Sequence, residues 1–241
     1  MLTRLDKILS QSGKLSRKEA RRAVKEGRVS VNGVIAESAE QKIERESAVI
    51  LLDGEEICTS KYRYFVMNKP KGYVSATEDE REQTVLELMS THERRLGLFP
   101  AGRLDKDTTG LLILTNDGGF AHKMLSPKNR VPKLYLAETD ENIDESDIAA
   151  FKEGITLRDG AETLPAELRR VGDRLCEIEI CEGKYHQVKR MIASRGKKVL
   201  SLKRLKIGEL MLPESLREGQ YKEALGDELF RLCLKSMQDE Q

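Results

Sequence analysis

Short apolar runs broken by turn residues open the chain, and from about Tyr62 they give way to apolar stretches that alternate with amphipathic ones. In the first part, Ser16 followed three positions on by Glu19 is a capping-box pair, so a helix is expected from there to about Lys25, closed by Gly27. Lys18, Arg21, Arg22 and Lys25 recur at three- and four-residue spacings, which gathers them on one side of that helix. Arg28-Val29-Ser30-Val31 and Val34-Ile35 flank Asn32-Gly33, the pair that a two-residue hairpin favours. Asp53-Gly54, between Val49-Ile50-Leu51-Leu52 and Ile57, marks a second hairpin. Helix, basic helix, hairpin is the order predicted for residues 1–60.

Residues 61–241 carry the larger expected domain. Arg63-Tyr64-Phe65-Val66-Met67 reads as a buried strand ending at the turn-rich Asn68-Lys69-Pro70-Lys71-Gly72, and Thr84 with Glu87 caps a short helix. Further strands are expected at 111–115, 134–137, 176–181 and 198–200, and helices at 117–125, 144–153, 186–195 and 227–238. Strands and helices do not alternate strictly, which argues for an α+β fold over a doubly wound parallel sheet. Neither an internal repeat nor a glycine-rich nucleotide fingerprint interrupts this pattern.

Composition narrows the class. With 241 residues, 39% hydrophobic and 34% charged, the chain suits one full domain with a core plus a small accessory unit. No apolar run reaches the roughly 18 to 20 residues of a membrane span, and the opening Met1-Leu2-Thr3-Arg4 lacks a signal-peptide core, so a cytoplasmic protein is expected. Cys58, Cys176, Cys181 and Cys233 include no CxxC pair, and neither disulfides nor zinc are expected. In the absence of a heptad or a long apolar edge, a monomer is expected.

A net charge of +1 conceals two basic blocks. Residues 1–30 hold nine Lys or Arg against three acids, among them Arg17, Lys18, Arg21, Arg22, Lys25 and Arg28. Residues 184–206 hold nine more and no acid. Such blocks suggest polyanion-binding faces, with acidic stretches such as 138–153 turned elsewhere, although a solvated surface is the plainer alternative for each.

The densest chemistry lies in Gly102-Arg103-Leu104-Asp105-Lys106-Asp107-Thr108-Thr109-Gly110, an acid among cations between two glycines, directly before a buried strand. A capped, solvated turn would look similar. As a metal site, Asp105, Asp107 and Asp117 lack a companion His or Glu at a recognised spacing, and the adjacent Arg103 and Lys106 would compete with a cation. A nucleophilic carboxylate, by contrast, is served by a nearby cation that stabilises its ionised form. Tyr135 in Lys133-Leu134-Tyr135-Leu136 could stack on a base, or be a plain core tyrosine. Lys184, His186, Gln187, Lys189 and Arg190 open a basic helix, where a lone histidine has a structural alternative.

Two resemblances bring these segments together. Arg4-Leu5-Asp6-Lys7, Ser16-Arg17 and Gly27-Arg28-Val29 with Val31-Asn32-Gly33 resemble the S4 RNA-binding domain, over a fifth to a quarter of the chain. Asn68-Lys69-Pro70 with Gly72, the Gly102–Leu111 segment, Lys133 with Tyr135, and Glu182-Gly183 with Tyr185-His186-Gln187-Val188-Lys189-Arg190-Met191 occur in the order seen in the RsuA/RluB/RluE/RluF group of pseudouridine synthases. The closest likeness is to the branch that modifies small-subunit ribosomal RNA. It implies a small S4-like α/β domain followed by a catalytic domain on a mixed, mainly antiparallel sheet flanked by helices.

The resemblance further implies a uridine isomerised to pseudouridine without metal or other cofactor. Asp105 would be the nucleophile, attacking C6 of the base or C1′ of the ribose. Tyr135 would lie against the base as candidate acceptor of the C5 proton, and Lys189, or the adjacent Arg190, would pair with the aspartate. Arg103 would fill or guide the space of the extruded base, while Lys184, His186, Gln187, Arg190 and the amino-terminal cations would bind RNA. The alternatives are a large-subunit enzyme of the same group, a non-catalytic rRNA-binding assembly protein, and a metal-dependent nuclease at Asp105, Asp107 and Asp117.

Overall fold

The computed structural model of the chain describes residues 2–234. The chain folds as two compact units, one up to Arg63 together with Met89–Leu98, the other of Tyr64–Leu88 and the chain from Phe99 on.

The first unit runs β1 (Leu2–Arg4), α1 (Leu5–Gln11), α2 (Arg17–Lys25), β2 (Val29–Val31), β3 (Val34–Ile35), β4 (Lys42–Glu44), β5 (Ile50–Leu52) and β6 (Glu55–Glu56). Ser16 and Glu19 form the reciprocal cap that starts α2, with Ser16 N donating to Glu19 Oε2 at 2.6 Å. Ala20, Ala23 and Val24 turn inward onto Leu5, Ile8, Leu9, Val29 and Ile50, and this apolar stripe leaves the basic side of α2 in solvent. Asn32 and Gly33 both take positive φ, 50° and 83°, as the β2–β3 turn requires.

In the second unit β7 (Tyr64–Lys69) leads to a short 3-10 turn at Val85–Leu88. Its first turn is held by Thr84 N donating to Glu87 Oε1 at 2.8 Å. A one-turn helix α3 (Thr91–Arg94), which belongs to the first unit, intervenes. Then follow β8 (Phe99–Ala101), β9 (Thr109–Thr115), α4 (Gly118–Leu125), β10 (Lys133–Thr139), α5 (Glu145–Glu153), β11 (Glu167–Gly172) and β12 (Leu175–Ile180). The described chain closes with α6 (Gln187–Ser194), β13 (Val199–Ile207), β14 (Leu210–Met211), β15 (Tyr221–Ala224) and α7 (Gly226–Leu234).

One sheet runs through this unit in the order β11-β12-β10-β13-β9-β7-β15, with β14 beside β13 and β8 beside β9. Every pairing is antiparallel except β13 with β9, as the α+β reading expected. Strands β7 and β9 are buried on both faces along nearly their whole length, which explains their unbroken apolar runs. Phe120 of α4 and Leu229 of α7 pack with Tyr64, Val66, Leu111 and Ile113 on one of those faces. At the centre of the sheet β10 alternates, burying Lys133, Tyr135, Ala137 and Thr139.

Several elements depart from the sequence pattern, the short strands β8 and β15 of the main sheet among them. The strand expected at 198–200 runs on to Ile207, its later half masked in the sequence by Lys203, Arg204 and Lys206. Strand β11, an edge strand with one buried side chain among charged ones, carries no apolar run to announce it. The last helix spans Gly226–Leu234, and residues 235–238 of its expected extent lie outside the described residues. All four cysteines are free thiols.

Candidate active site

Asp105 sits in the loop between β8 and β9, two antiparallel neighbours whose pairing pins both ends of that loop. Inside it, Ser75 Oγ donates to Leu104 O at 2.9 Å and accepts from Leu104 N at 3.0 Å, while Gly72 N donates to Lys106 O at 2.8 Å. Lys69, fully buried, donates from Nζ to Pro70 O and Thr108 O at 3.0 and 2.9 Å. Burial pushes that ammonium down to about 8, with the nearby Asp107 and Asp105 pulling the other way. The loop is thus held from beneath by a buried cation on its carbonyls, and the Asp105 side chain projects half-buried above it.

Two groups from the chain around the start of α6 meet the Asp105 carboxylate. Lys189 Nζ donates to Asp105 Oδ2 at 2.9 Å and to Asp107 Oδ1 at 2.5 Å, and His186 Nε2 stands 3.3 Å from Asp105 Oδ1. Burial works against the charges of Lys189 and Asp107, yet their mutual hydrogen bond and attraction prevail, raising the lysine and lowering the aspartate from their ordinary values. Of the two expected partners it is therefore Lys189 that holds Asp105. Arg190 turns away to Asp159 Oδ1 at 2.6 Å.

His186 reaches the carboxylate because its backbone adopts the left-handed region, φ 47°, at the residue before α6. Its ring lies 3.8 Å from that of Tyr185, nearly parallel, and the Tyr185 ring is exposed at the rim. Gln187, expected to face RNA, is buried instead. Its amide donates to Glu182 Oε1 at 2.8 Å and accepts from Lys184 N at 2.9 Å, closing the turn that carries His186. Lys184 bonds Glu162 O and stands 3.1 Å from Glu182 Oε2.

Tyr135 enters from β10. On the neighbouring β13 a register shift between Leu134 and Tyr135 brings Arg204 opposite the tyrosine, where the unshifted ladder would set Leu205. Arg204 Nη1 donates to the Tyr135 hydroxyl at 3.4 Å and Nε donates to Leu111 O at 2.8 Å. Gly110 makes this approach possible. It holds φ 102°, and a Cβ there would fall 2.2 Å from Arg204 O. A cavity of about 620 Å³ opens among Asp105, Tyr135, Lys133, Arg204, His186 and the exposed Arg103, and a recess of about 80 Å³ adjoins it beside Lys189.

The structure therefore gathers Asp105, Tyr135, Lys189, Arg103, Lys184, His186 and Gln187 about the cavity and its adjoining recess, and adds Lys133 and Arg204 in the wall and Lys69 beneath the loop, to which the sequence reading gave no role, while Asp107, weighed there as a metal ligand, is held by Lys189. A lysine inside an apolar strand, as at Lys69 and Lys133, was the available signal. Asp117 lies elsewhere, capping α4 by accepting from Gly119 N and Phe120 N at 2.9 and 3.1 Å and from the Tyr64 hydroxyl at 2.7 Å. Among the described residues no three His, Cys, Asp or Glu side chains gather as a metal site would need.

The second basic block is not the open polyanion face expected, nor is the acidic stretch turned away from it. Asp147, 1% exposed, takes Arg195 Nε at 3.0 Å and Lys197 Nζ at 2.6 Å, and Asp144 takes Lys197 Nζ at 3.3 Å. On α2, and at Arg28 just beyond it, the cations stay exposed. Arg21 reaches Asp6 at 3.2 Å, Arg22 reaches Glu26 at 2.7 Å and Arg28 reaches Asp53 at 2.6 Å. Arg17, Lys18 and Lys25 form no ion pair with another described residue.

The chain is similar to known proteins over nearly its whole length. Residues 63–194 match the family model described as RNA pseudouridylate synthase, and residues 3–50 match the S4 domain. An uncharacterized RNA pseudouridine synthase of Bacillus subtilis, YtzG, is 42% identical, covering 95% of this chain and 98% of the relative. The ribosomal small subunit pseudouridine synthase A of Haemophilus influenzae is 39% identical over 95% of this chain and 99% of its own, and that of Vibrio cholerae is 41% identical over 91% and 94%. A solved crystal structure of a pseudouridylate synthase superposes with a TM-score of 0.67 at 38% identity, covering 95% of this chain and 99% of that one.

Proposed function

The chain belongs to the RNA pseudouridylate synthase family, with an S4 domain ahead of its catalytic region, and from that premise we propose that it isomerises one uridine of small-subunit ribosomal RNA. The support for the small subunit is the name carried by full-length relatives at about 40% identity. For the mechanism, the observation that carries the reading is the Asp105 carboxylate, held between Lys189 and His186 in the wall of a cavity that Tyr135 also lines.

In this reading Asp105 is the nucleophile. It bonds to C6 of the uracil or to C1′ of the ribose, the C1′–N1 bond breaks, and the base turns within the cavity. C5 then bonds to C1′, Asp105 is released, C5 loses its proton and N1 gains one. Tyr135 is the candidate acceptor of the C5 proton. Lys189 orients Asp105 through the hydrogen bond it donates to Oδ2. Extruding the uridine costs about a few kcal/mol, which phosphate contacts can offset. Those contacts fall to Arg103 at the rim and to Arg17, Lys18, Arg21, Arg22, Lys25 and Arg28 of the S4 part, residues 1–60. A ribosomal RNA substrate would place the enzyme in the cytoplasm.

The test is incubation with unmodified small-subunit and large-subunit ribosomal RNA followed by pseudouridine-specific chemical mapping. Modification of one small-subunit uridine is expected, and modification confined to large-subunit RNA overturns the target. Asp105→Asn is expected to lower turnover by at least about 10⁴-fold while RNA binding survives. Substantial turnover by that variant refutes the nucleophile.

A further inference from the structure

Two cations are buried in the cavity wall without an anion beside them. Arg204 is 3% exposed, and once its Nε and Nη1 are spent on Leu111 O and the Tyr135 hydroxyl, its buried Nη2 has no hydrogen-bond partner among the described residues. Lys133 is 8% exposed, with Nζ donating to Val131 O at 2.7 Å. Neither forms an ion pair with a described residue. A guanidinium taken out of water is costly unless acceptors fill its donors, and packing alone would be served as well by an uncharged side chain. An acceptor brought by the ligand would fill that donor.

The reaction supplies one, on the reading that the chain isomerises uridine. Attack of Asp105 on C6 pushes the C5=C6 electron pair toward the C4 carbonyl and leaves negative charge on O4. Attack on C1′ sends the C1′–N1 pair into the ring and leaves a uracil anion whose charge is shared by O2 and O4. By either route the base is anionic while it turns inside the cavity, and the charge disappears once C5 is joined to C1′ and Asp105 has left. We infer that Arg204 Nη2, backed by the charge of Lys133, donates a hydrogen bond to a carbonyl oxygen of the extruded uracil and stabilises the negative charge that develops there. Arg204 is then a catalytic residue in its own right, an oxyanion donor set in place by the register shift of β13. RNA phosphates are the other anions at hand, but a donor so deeply buried suits the base, while a phosphate is left to the exposed Arg103.

Replacing one uracil oxygen by sulfur weakens that acceptor and leaves the rest of the RNA intact. The experiment measures single-turnover rates on an RNA fragment whose mapped target is uridine, 2-thiouridine or 4-thiouridine, with the parent enzyme and with Arg204→Gln. Turnover of the uridine fragment by the parent tests isomerisation by itself, so failure of that reading shows separately. On the inference, Arg204→Gln slows the uridine reaction by about 100-fold or more with RNA affinity unchanged. One thio substitution slows the parent while leaving the variant's rate unaltered. Equal thio effects in both enzymes, or a variant within about twofold of the parent, overturn it. Should Arg204→Gln fail to fold, Arg204→Lys, which keeps the charge without the forked donors, takes its place. A thio effect smaller than the parent's supports the inference, and one undiminished refutes it.

Discussion

Helices α2 and α6 are both rich in Lys and Arg, yet their cations work in opposite electrical settings. On α2 they stand in solvent, and Arg17, Lys18 and Lys25 are unpaired among the described residues. Around α6 Lys189 is bound to Asp105 and Asp107, Arg190 to Asp159, and Arg195 and Lys197 to Asp147. Exposed cations act at a distance on any polyanion and are weakened by salt, whereas partly buried ones fix a particular carboxylate in a particular place. Density of charge along a sequence therefore does not reveal which cations are free to bind RNA.

The largest effect expected from breaking this contrast comes at Lys189. Lys189→Met removes the cation from between two carboxylates and leaves Asp105 with His186 on one side and the uncompensated Asp107 nearby. Turnover is expected to fall by about 10² to 10³-fold. Near-parental turnover would assign Lys189 to structure alone.

The pairing partners also mark how far the sequence could be read. The loop around Asp105, the S4-like front and the start of α6 were legible because each is a contiguous motif on which a family resemblance can be carried, whereas residue types alone left a solvated turn and a structural histidine open. Lys189 was legible as a partner only through the family resemblance, with Arg190 beside it equal in charge, and the helix geometry separates them. Arg204 was not legible, since its place beside Tyr135 depends on a one-residue shift between strands about seventy positions apart in the chain. The block 184–206 misled for a related reason. Its charge was counted against near neighbours, whereas Asp144 and Asp147, about fifty positions earlier, neutralise Arg195 and Lys197.

A smaller effect is expected from the buried cation without an ion pair. Burial lowers the Lys133 ammonium to about 8 in the folded protein, while in the unfolded chain it keeps its proton until near 10.5. Between those values the unfolded state holds the extra proton, so the contribution of Lys133 makes the protein more stable as pH rises through that window. Below about 8 the lysine is charged in both states and its desolvation weighs against the fold. Lys133→Met should abolish that part of the rise. Urea unfolding at about pH 7.5 and about pH 9.5 should show the parent gaining more than the variant, by on the order of 2 kcal/mol. Equal gains would mean that Lys133 is not desolvated as its burial indicates.

The smallest effects belong to α2, where they separate free cations from engaged ones. Arg17→Gln, Lys18→Gln and Lys25→Gln combined remove three exposed charges that have no protein partner to lose. If each meets one phosphate, the slope of log affinity against log salt should fall by about two to three, with turnover at saturating RNA unchanged. Arg28→Gln is expected to change affinity least, because Asp53 and Glu26 already hold its guanidinium through bonds of 2.6, 2.7 and 3.2 Å that RNA would first have to displace. Asp53→Asn sharpens the point, since it frees much of the same cation without adding one. An RNA affinity that rises in Asp53→Asn, and falls again when Arg28→Gln is added, would show that the ion pair sets the contribution of Arg28. Unchanged affinity in both would leave the grip on RNA to the three unpaired cations.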